Sequence, residues 1–533
     1  MSEQPQQYDA VVVGSGFGGS ILALRLSEAG KSVLVLERGR RYRPGEFPRH
    51  VTDVDRIFWS SRYCPLATGL YDVRFLSGIA VVAASGVGGG SLIYANVNIR
   101  PDPVVFEDPR WPGSINRESL DPYYDKVAAA LAVRPLPSNV EIRKRDVYRD
   151  AAYRLGRLVC DPDQAVIWES SPDMESGRGP CRLVAECEFG CQHGAKNSMD
   201  LTYLARAERL GAEVRTGAVV SHVSPIRDGF VVHYRDSQGR DPQGRDPQGG
   251  GGQVRGRRVV LGAGTLGTNE ILLRSRDEVA TLPNLSVALG RGFSGNGDFL
   301  GSIQNASTDL FPVHGPDVTS VISYFDQAPQ FTMAAPTFNA PVMDVLASWG
   351  QPSGGVLRLF APLLWGQLGR IVPWAFAKGL ISRPLRLPAP HAGEPSRMTN
   401  LFAIGRDNAN GQLRLRRGRL DIVWDYAREN QVLVNRMIEA MKELGDVYGG
   451  TFSPLVTWKV FQRIITVHPL GGCHLSKSRE TGVVSPEGEV HGYRGLYVAD
   501  GSVIPTAIGF HPAMTISAVA ERTAEAVVVS FPG

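Results

Sequence analysis

The sequence predicts an α/β protein, α+β overall, and three observations carry that prediction. An apolar strand runs directly into a glycine turn and a helix over Tyr8–Ala29. A second strand–glycine–helix pattern recurs over Arg257–Glu270. The chain has 533 residues, whereas single hydrophobic cores stop growing at roughly 250–300 residues, so a single core is not expected and at least two domains are. Its composition, 43% apolar and 21% charged, is that of an ordinary globular protein. A net charge of +4 is too small for this length to argue for a nucleic-acid partner.

The elements follow in order. Tyr8–Val13 reads as a buried strand, Gly14–Gly19 as its turn, Ser20–Ala29 as a helix and Lys31–Leu36 as the second strand of a βαβ unit. Residues 40–80, rich in Arg, Pro and aromatics, read as an irregular excursion. A further glycine cluster follows, Gly86-Val87-Gly88-Gly89-Gly90-Ser91, and then Leu92 to Asn96. Residues 100–195 mix Pro-rich loops with short helices such as Tyr123–Leu131. Leu201–Leu210 is helical; Val214–Val220, Gly229–Tyr234 and Arg257–Leu261 read as strands. Between the last two lies a five-residue repeat beginning at Asp236, Asp241 and Asp246. It is polar and Gly/Pro-rich with nothing to bury, so it reads as a solvated hairpin tip. Residues 300–455 carry the least familiar pattern, and the chain then returns to glycine turns and a final helix, Ala513–Val528. The ends of the chain therefore read as one domain, over 1–105, 196–300 and 456–533, with a second domain from 106–195 and 301–455.

The N-terminus MSEQPQQYDA lacks the basic and apolar regions of a signal peptide, and six cysteines do not make a disulfide scaffold. A cytoplasmic protein with free thiols is expected. No run reaches about 18 uninterrupted apolar residues. Val356–Ile381 mixes Leu, Trp and Phe with Arg358, Arg370 and Lys378. It reads first as a core or pocket-lining helix, with peripheral membrane contact as the competing reading.

Several motifs bear chemistry. Gly14, Gly16 and Gly19 occupy the positions that allow a tight turn, a close backbone approach to a pyrophosphate and close helix packing. The helix start offers free N–H groups to phosphates. Glu37 ends the second strand, where its carboxylate can accept hydrogen bonds from ribose hydroxyls. The Gly86–Ser91 run lets backbone lie against a flat ring system. Gly262 sits in the second glycine turn, and Val219 and Val220 lie on a strand where backbone can meet an adenine. Three more motifs follow: Val467 to Cys473, Gly495 to Pro505 and Gly509 to Ile516.

With these in order, the chain resembles the glucose–methanol–choline (GMC) family of flavin oxidoreductases, and within it the bacterial cholesterol oxidases most. The resemblance spans Val11–Gly39, Gly86–Asn96, Gly194–Tyr203, Leu261–Leu289 and Val467 to about Glu525, and is poor over 300–455. It implies a Rossmann-like FAD-binding domain with an inserted substrate domain built on an antiparallel sheet with helices. It assigns Gly14, Gly16 and Gly19 to the pyrophosphate and Glu37 to the ribose. Gly86, Gly88, Gly89, Gly90 and Ser91, with Asn96, fall along the flavin. Val220 falls at the adenine, with Gly262 in the second glycine turn. Asp500 and Gly501 fall at the ribityl–pyrophosphate region, with His511 and Pro512 beside them.

The same resemblance places His468 and His511 before the flavin as catalytic residues. Alcohol oxidation needs a proton acceptor for the hydroxyl and a hydride acceptor for the carbon, and imidazole suits the first task. The implied reaction is oxidation of the CH–OH group of a hydrophobic alcohol, sterols included, with oxygen or an electron carrier taking the electrons. Two alternatives stay open: a dehydrogenase for long-chain or sugar-like alcohols using a non-oxygen acceptor, and a non-redox lyase or decarboxylase on the same fold. The chain departs from the family's steroid oxidases in carrying His511 where they carry Asn. Met333 falls near the position of their isomerising glutamate. Cys181, Cys187 and Cys191 offer the three thiolates an iron–sulfur cluster needs as a minimum, with His193 as a fourth ligand, but their C-x5-C-x3-C spacing matches no standard metal pattern. Thiols without metal are the simpler reading.

Overall fold

Two sheets meet around a central cavity in the computed structural model, which describes residues 6–48, 54–61, 64–172, 174–236, 251–336, 393 and 395–532. The five-residue repeat beyond Asp236 and the Val356–Ile381 stretch lie outside the described residues. The main sheet has seven strands. Glu213–Arg215, Val33–Leu36, Gln7–Val13 and Gly251–Leu261 run parallel, side by side. The last of these is forked. Its first half pairs antiparallel with Gly229–Asp236, while Val259–Leu261 pairs parallel with Leu496–Val498. Ala218–Ile226 completes the sheet beyond Gly229–Asp236. Val33–Leu36 is buried throughout, as expected of a parallel strand covered on both faces.

The first helix starts at Phe17 rather than Ser20, so Gly18 and Gly19 belong to its first turn. It packs on the C-terminal helix Ala513–Val529. There the Arg25 guanidinium donates two hydrogen bonds of 2.8 Å to the nearly buried Glu521 carboxylate. The strand expected over 214–220 is broken in two. Gly217 takes φ +73, and the chain turns there from a parallel partner to an antiparallel one. The turn wraps the end of the second strand: Glu37 N donates to Arg215 O and Ala218 N to Glu37 O, both at 2.9 Å. This break is what brings Val219 and Val220 beside Glu37.

Residues 40–80 are not irregular throughout. Tyr71–Leu76 and Ile79–Ala84 form an antiparallel pair, and Ile79–Ala84 pairs parallel with Ile464–Thr466. The signal was the alternation of Tyr71, Val73 and Phe75 with Asp72 and Arg74. The second large sheet is antiparallel, ordered Thr451–Pro454, Phe299–Gln304, Thr399–Gly405, Phe331–Ala334, Val321–Tyr324 and Val159–Cys160. Size argued against a single core. Most of the buried apolar side chains among the described residues nevertheless form one connected cluster, running from Val11 and Leu261 to Phe331 and Leu401, with three small clusters beside it. The joining segments are themselves apolar, with Phe293, Ile464 and Leu470 buried between the sheets.

Candidate active site

A cavity of about 1800 Å³ lies beyond the carboxyl ends of the parallel strands, with Val13, Leu36 and Gly262 on one side and Leu300, Pro336 and Phe402 of the antiparallel half on the other. Single-ligand pockets are typically about 300–1,000 Å³, so this volume suits a large cofactor and a substrate together. Gly14, Gly16, Glu37, Gly89, Gly90, Val220, Gly262, Asp500, Gly501, His468, His511 and Pro512 all line it. Gly19, Gly86, Gly88, Ser91 and Asn96 do not. They stand behind the wall and shape it: Ser91 Oγ donates to Gly88 O at 2.7 Å and accepts from Met199 N at 2.9 Å. Met333 is also off the cavity, buried in its strand.

One end is built from backbone. Gly14 has φ +92, and a Cβ there would stand 2.3 Å from Gly262 O, so only glycine fits where the two glycine turns meet. The helices Phe17–Glu28, Gly264–Leu273 and Ala513–Val529 all begin at the cavity wall. Three sets of free N–H groups and positive dipole ends at one cavity suit a pyrophosphate. The Glu37 carboxylate accepts from Ser15 N at 3.1 Å, Ser15 Oγ at 2.6 Å and Gly39 N at 2.8 Å. That holds it rigid while leaving acceptor capacity for ribose hydroxyls. Asp500 ties the second glycine turn to the C-terminal segment, accepting from Thr268 Oγ1 at 2.5 Å and Ser502 N at 2.9 Å. The residues present therefore fit a dinucleotide. A chain of ion pairs borders this end: Arg38–Asp72 at 2.7 Å, Asp72–Arg74 at 2.9 Å, Arg74–Glu270 at 2.7 Å and Glu270–Arg274 at 3.0 Å.

The other end is built from side chains. The strand Ile464–Thr466 delivers His468, and the turn before the C-terminal helix delivers His511. Their rings cross at 78° with centroids 5.4 Å apart, and Phe402 stacks on His468 at 5.5 Å. His468 Nδ1 lies 2.9 Å from Oδ1 of the fully buried Asp298. The other oxygen of Asp298 accepts from Thr466 Oγ1 at 2.9 Å, Val467 N at 2.8 Å and His468 N at 3.1 Å. With one carboxylate oxygen taken up by three donors and the other facing Nδ1, an Nδ1–H to Oδ1 hydrogen bond sets the tautomer that leaves Nε2 as the acceptor. Burial, with His468 beside it, holds the His511 imidazole well below its usual range, so it stays neutral. Its Nδ1 is buried without a hydrogen-bond partner among the described residues.

Reading the sequence missed three residues that hold this end together. Asp298 is the first. Asn296 Oδ1 accepts from Ile508 N at 2.9 Å and Gly509 N at 3.0 Å, and its Nδ2 donates to Phe510 O at 2.8 Å, fixing the approach to His511. Asp407 in turn holds the loop carrying both, accepting from Ser294 Oγ at 2.7 Å and from Gly295 N and Gly297 N at 3.0 Å. Burial pushes the Asp407 carboxyl up to about 6 against those hydrogen bonds. The run Ser294–Asp298 carried no motif, although a polar cluster inside an apolar stretch was its one visible mark.

Among the described residues no three His, Cys, Asp or Glu side chains converge as a metal ion would need. Burial pushes the Cys187 thiol far up and that of Cys181 up to about 11. No helix of the described residues is long and apolar enough to cross a membrane.

Comparison with known proteins agrees with this geometry. Profiles of the GMC oxidoreductase family match residues 8–276 and 409–520. The chain is 31% identical to a cholesterol oxidase of Mycobacterium tuberculosis, covering 97% of this chain and 90% of that one. It is 27% identical to a cholesterol oxidase of Acinetobacter baumannii over 97% of this chain and 93% of that one. A long-chain-alcohol oxidase of Arabidopsis thaliana is 25% identical over 98% of this chain and 67% of its own length. Among solved structures, an FAD-dependent oxidoreductase from Chaetomium thermophilum superposes with a TM-score of 0.61 at 17% identity, covering 98% of this chain and 99% of that one. The pyridoxine 4-oxidase from Mesorbium loti gives 0.59 at 17% identity, covering 97% and 98%. With two glycine turns and three helix starts around one cavity, and two histidines at its far end, the chain belongs to the GMC oxidoreductase family and is a flavoprotein that uses FAD.

Proposed function

We propose that this protein oxidises the CH–OH group of a hydrophobic alcohol, sterols foremost, with His468 as the base. The observation that carries this reading is the Asp298–His468 pair beside a neutral His511 in an apolar part of the cavity. FAD, when bound, supplies the hydride acceptor. His468 Nε2 takes the hydroxyl proton, and Asp298 stabilises the imidazolium that forms. His511, lining the cavity beside His468, holds the substrate oxygen as charge develops on it. Phe402, Leu300 and Pro336, with Ala95 and Val97, line the space left for the substrate and exclude water. The alcohol loses one proton to His468 and one hydride to the cofactor, and leaves as the carbonyl compound. Oxygen or an electron carrier would take the electrons.

Similarity to cholesterol oxidases over nearly the whole chain supports the sterol reading, and similarity to a long-chain-alcohol oxidase supports the linear alternative. His468, His511 and the cavity-lining glycines with Glu37 and Asp500 are accordingly the proposed site residues. The test is anaerobic bleaching of the bound flavin against a panel of sterols and long-chain alcohols. Bleaching by sterols is expected. Bleaching by linear alcohols alone would move the substrate class. An oxidised spectrum with every alcohol would remove the redox reading.

A further inference from the structure

A buried cation that the chemistry above does not use stands one peptide layer behind the cavity wall. Lys196 is 3% exposed. Its Nζ donates to Cys187 O at 2.6 Å, Leu92 O at 2.8 Å and Tyr94 O at 3.3 Å. Three acceptors call for three N–H groups, so the side chain is the ammonium rather than the amine. The nitrogen also lies 5.1 Å from the centre of the Tyr94 ring. The carbonyls it gathers flank Ile93, Tyr94 and Ala95, which follow the Gly89–Gly90 turn, and Glu188 from a separate segment; all four line the cavity. A trans peptide carries its N–H opposite its C=O. Clamping Tyr94 O and Cys187 O therefore turns the N–H groups of Ala95 and Glu188 away from the ammonium.

The groups facing Lys196 cancel its charge only in part. Cys187 is a neutral thiol, and burial with Asp317 nearby pushes the Glu188 carboxyl well up. Cys191 and Asp200 are the other acidic neighbours. A second buried cation, Lys144, donates to Asp317 O and also acts on Glu188.

We propose that Lys196 is a positioning residue that fixes the loop against the flavin and, through its charge, makes the flavin a stronger oxidant. Hydride transfer from the alcohol adds one negative charge to the ring system. A cation held close by in a water-poor wall stabilises that charge more than the neutral oxidised ring. The role concerns the cofactor, which the family membership establishes, and is independent of which alcohol is the substrate.

The experiment measures the two-electron midpoint potential of the holoprotein by equilibration with a reference dye, without alcohol. Lys196→Met is expected to shift the equilibrium at least tenfold toward oxidised flavin, which is about 30 mV for a two-electron couple. It should also weaken the sulfite adduct of the oxidised flavin by a similar factor, because that adduct likewise places negative charge on the ring. Lys196→Arg should restore most of both. Asp200→Asn keeps shape, removes an opposing charge and should move the potential upward. A Lys196→Met holoprotein with wild-type potential overturns the proposal. If that variant yields no holoprotein, an unchanged or lowered potential in Asp200→Asn overturns it instead.

Discussion

The two ends of the cavity are built on different principles. The dinucleotide end is backbone: glycine turns, helix starts and a carboxylate at a strand end, each specified within about 25 residues of sequence. The histidine end is side chains held from afar. Asp298 reaches His468 across 170 positions, and Asn296 reaches Gly509 across 213. A local conformation fails completely when its one permissive residue is lost. A supported side chain loses function in steps, according to how many partners remain.

Four substitutions sharpen that contrast, from the largest expected effect to the smallest. Gly14→Ala sets a methyl 2.3 Å from Gly262 O, so purified protein should carry no FAD and show no turnover; full flavin loading would break the comparison. His468→Asn should keep FAD and lose about 10³-fold in kcat, in the range for removal of a general base. Rapid-mixing flavin reduction checks it. Asp298→Asn should lose about 10²-fold with FAD retained, since the ring remains but its orientation and charge partner do not. Equal losses in these last two variants would mean that Asp298 carries the chemistry and not only the geometry.

Asp72→Asn tests the rim of the dinucleotide end. Burial alone would raise the Asp72 carboxyl, but Arg74 and Arg38 outweigh it and bring it down to about 2. A folded-state value below the unfolded one means that this stabilisation, about 2 kcal/mol, is full above roughly pH 4 and is lost as pH falls through about 2. The variant should therefore be less stable at neutral pH and show a flatter decline in urea-unfolding stability between those limits. An unchanged acid slope would count against the ion-pair chain.

The same contrast explains what could be read from the chain. The parallel strands, both glycine turns, Glu37 and the two histidines were legible because their motifs are contiguous. The strand Tyr71–Leu76 was legible in principle, but its Asp72 and Arg74 looked like loop residues because the ion pairs that accommodate them lie on distant elements. The break at Gly217 needed knowledge of which strand would be its neighbour. Asp298, Asn296 and Asp407 carried no motif, and the polar cluster around the first two showed no role, because a buried polar side chain is recognisable only once its partners are in place.

The undivided cavity has a consequence for the protein's life before catalysis. A cavity of about 1800 Å³ lined by both sheets means that a bound cofactor packs against each of them, so its binding energy acts on the whole fold. Folding and loading are then linked by mass action. At free FAD one hundred times its dissociation constant, binding adds about 2.7 kcal/mol to stability, a large part of what holds an ordinary domain folded. Flavin supply in the cell would thus set the chain's abundance and lifetime as well as its activity.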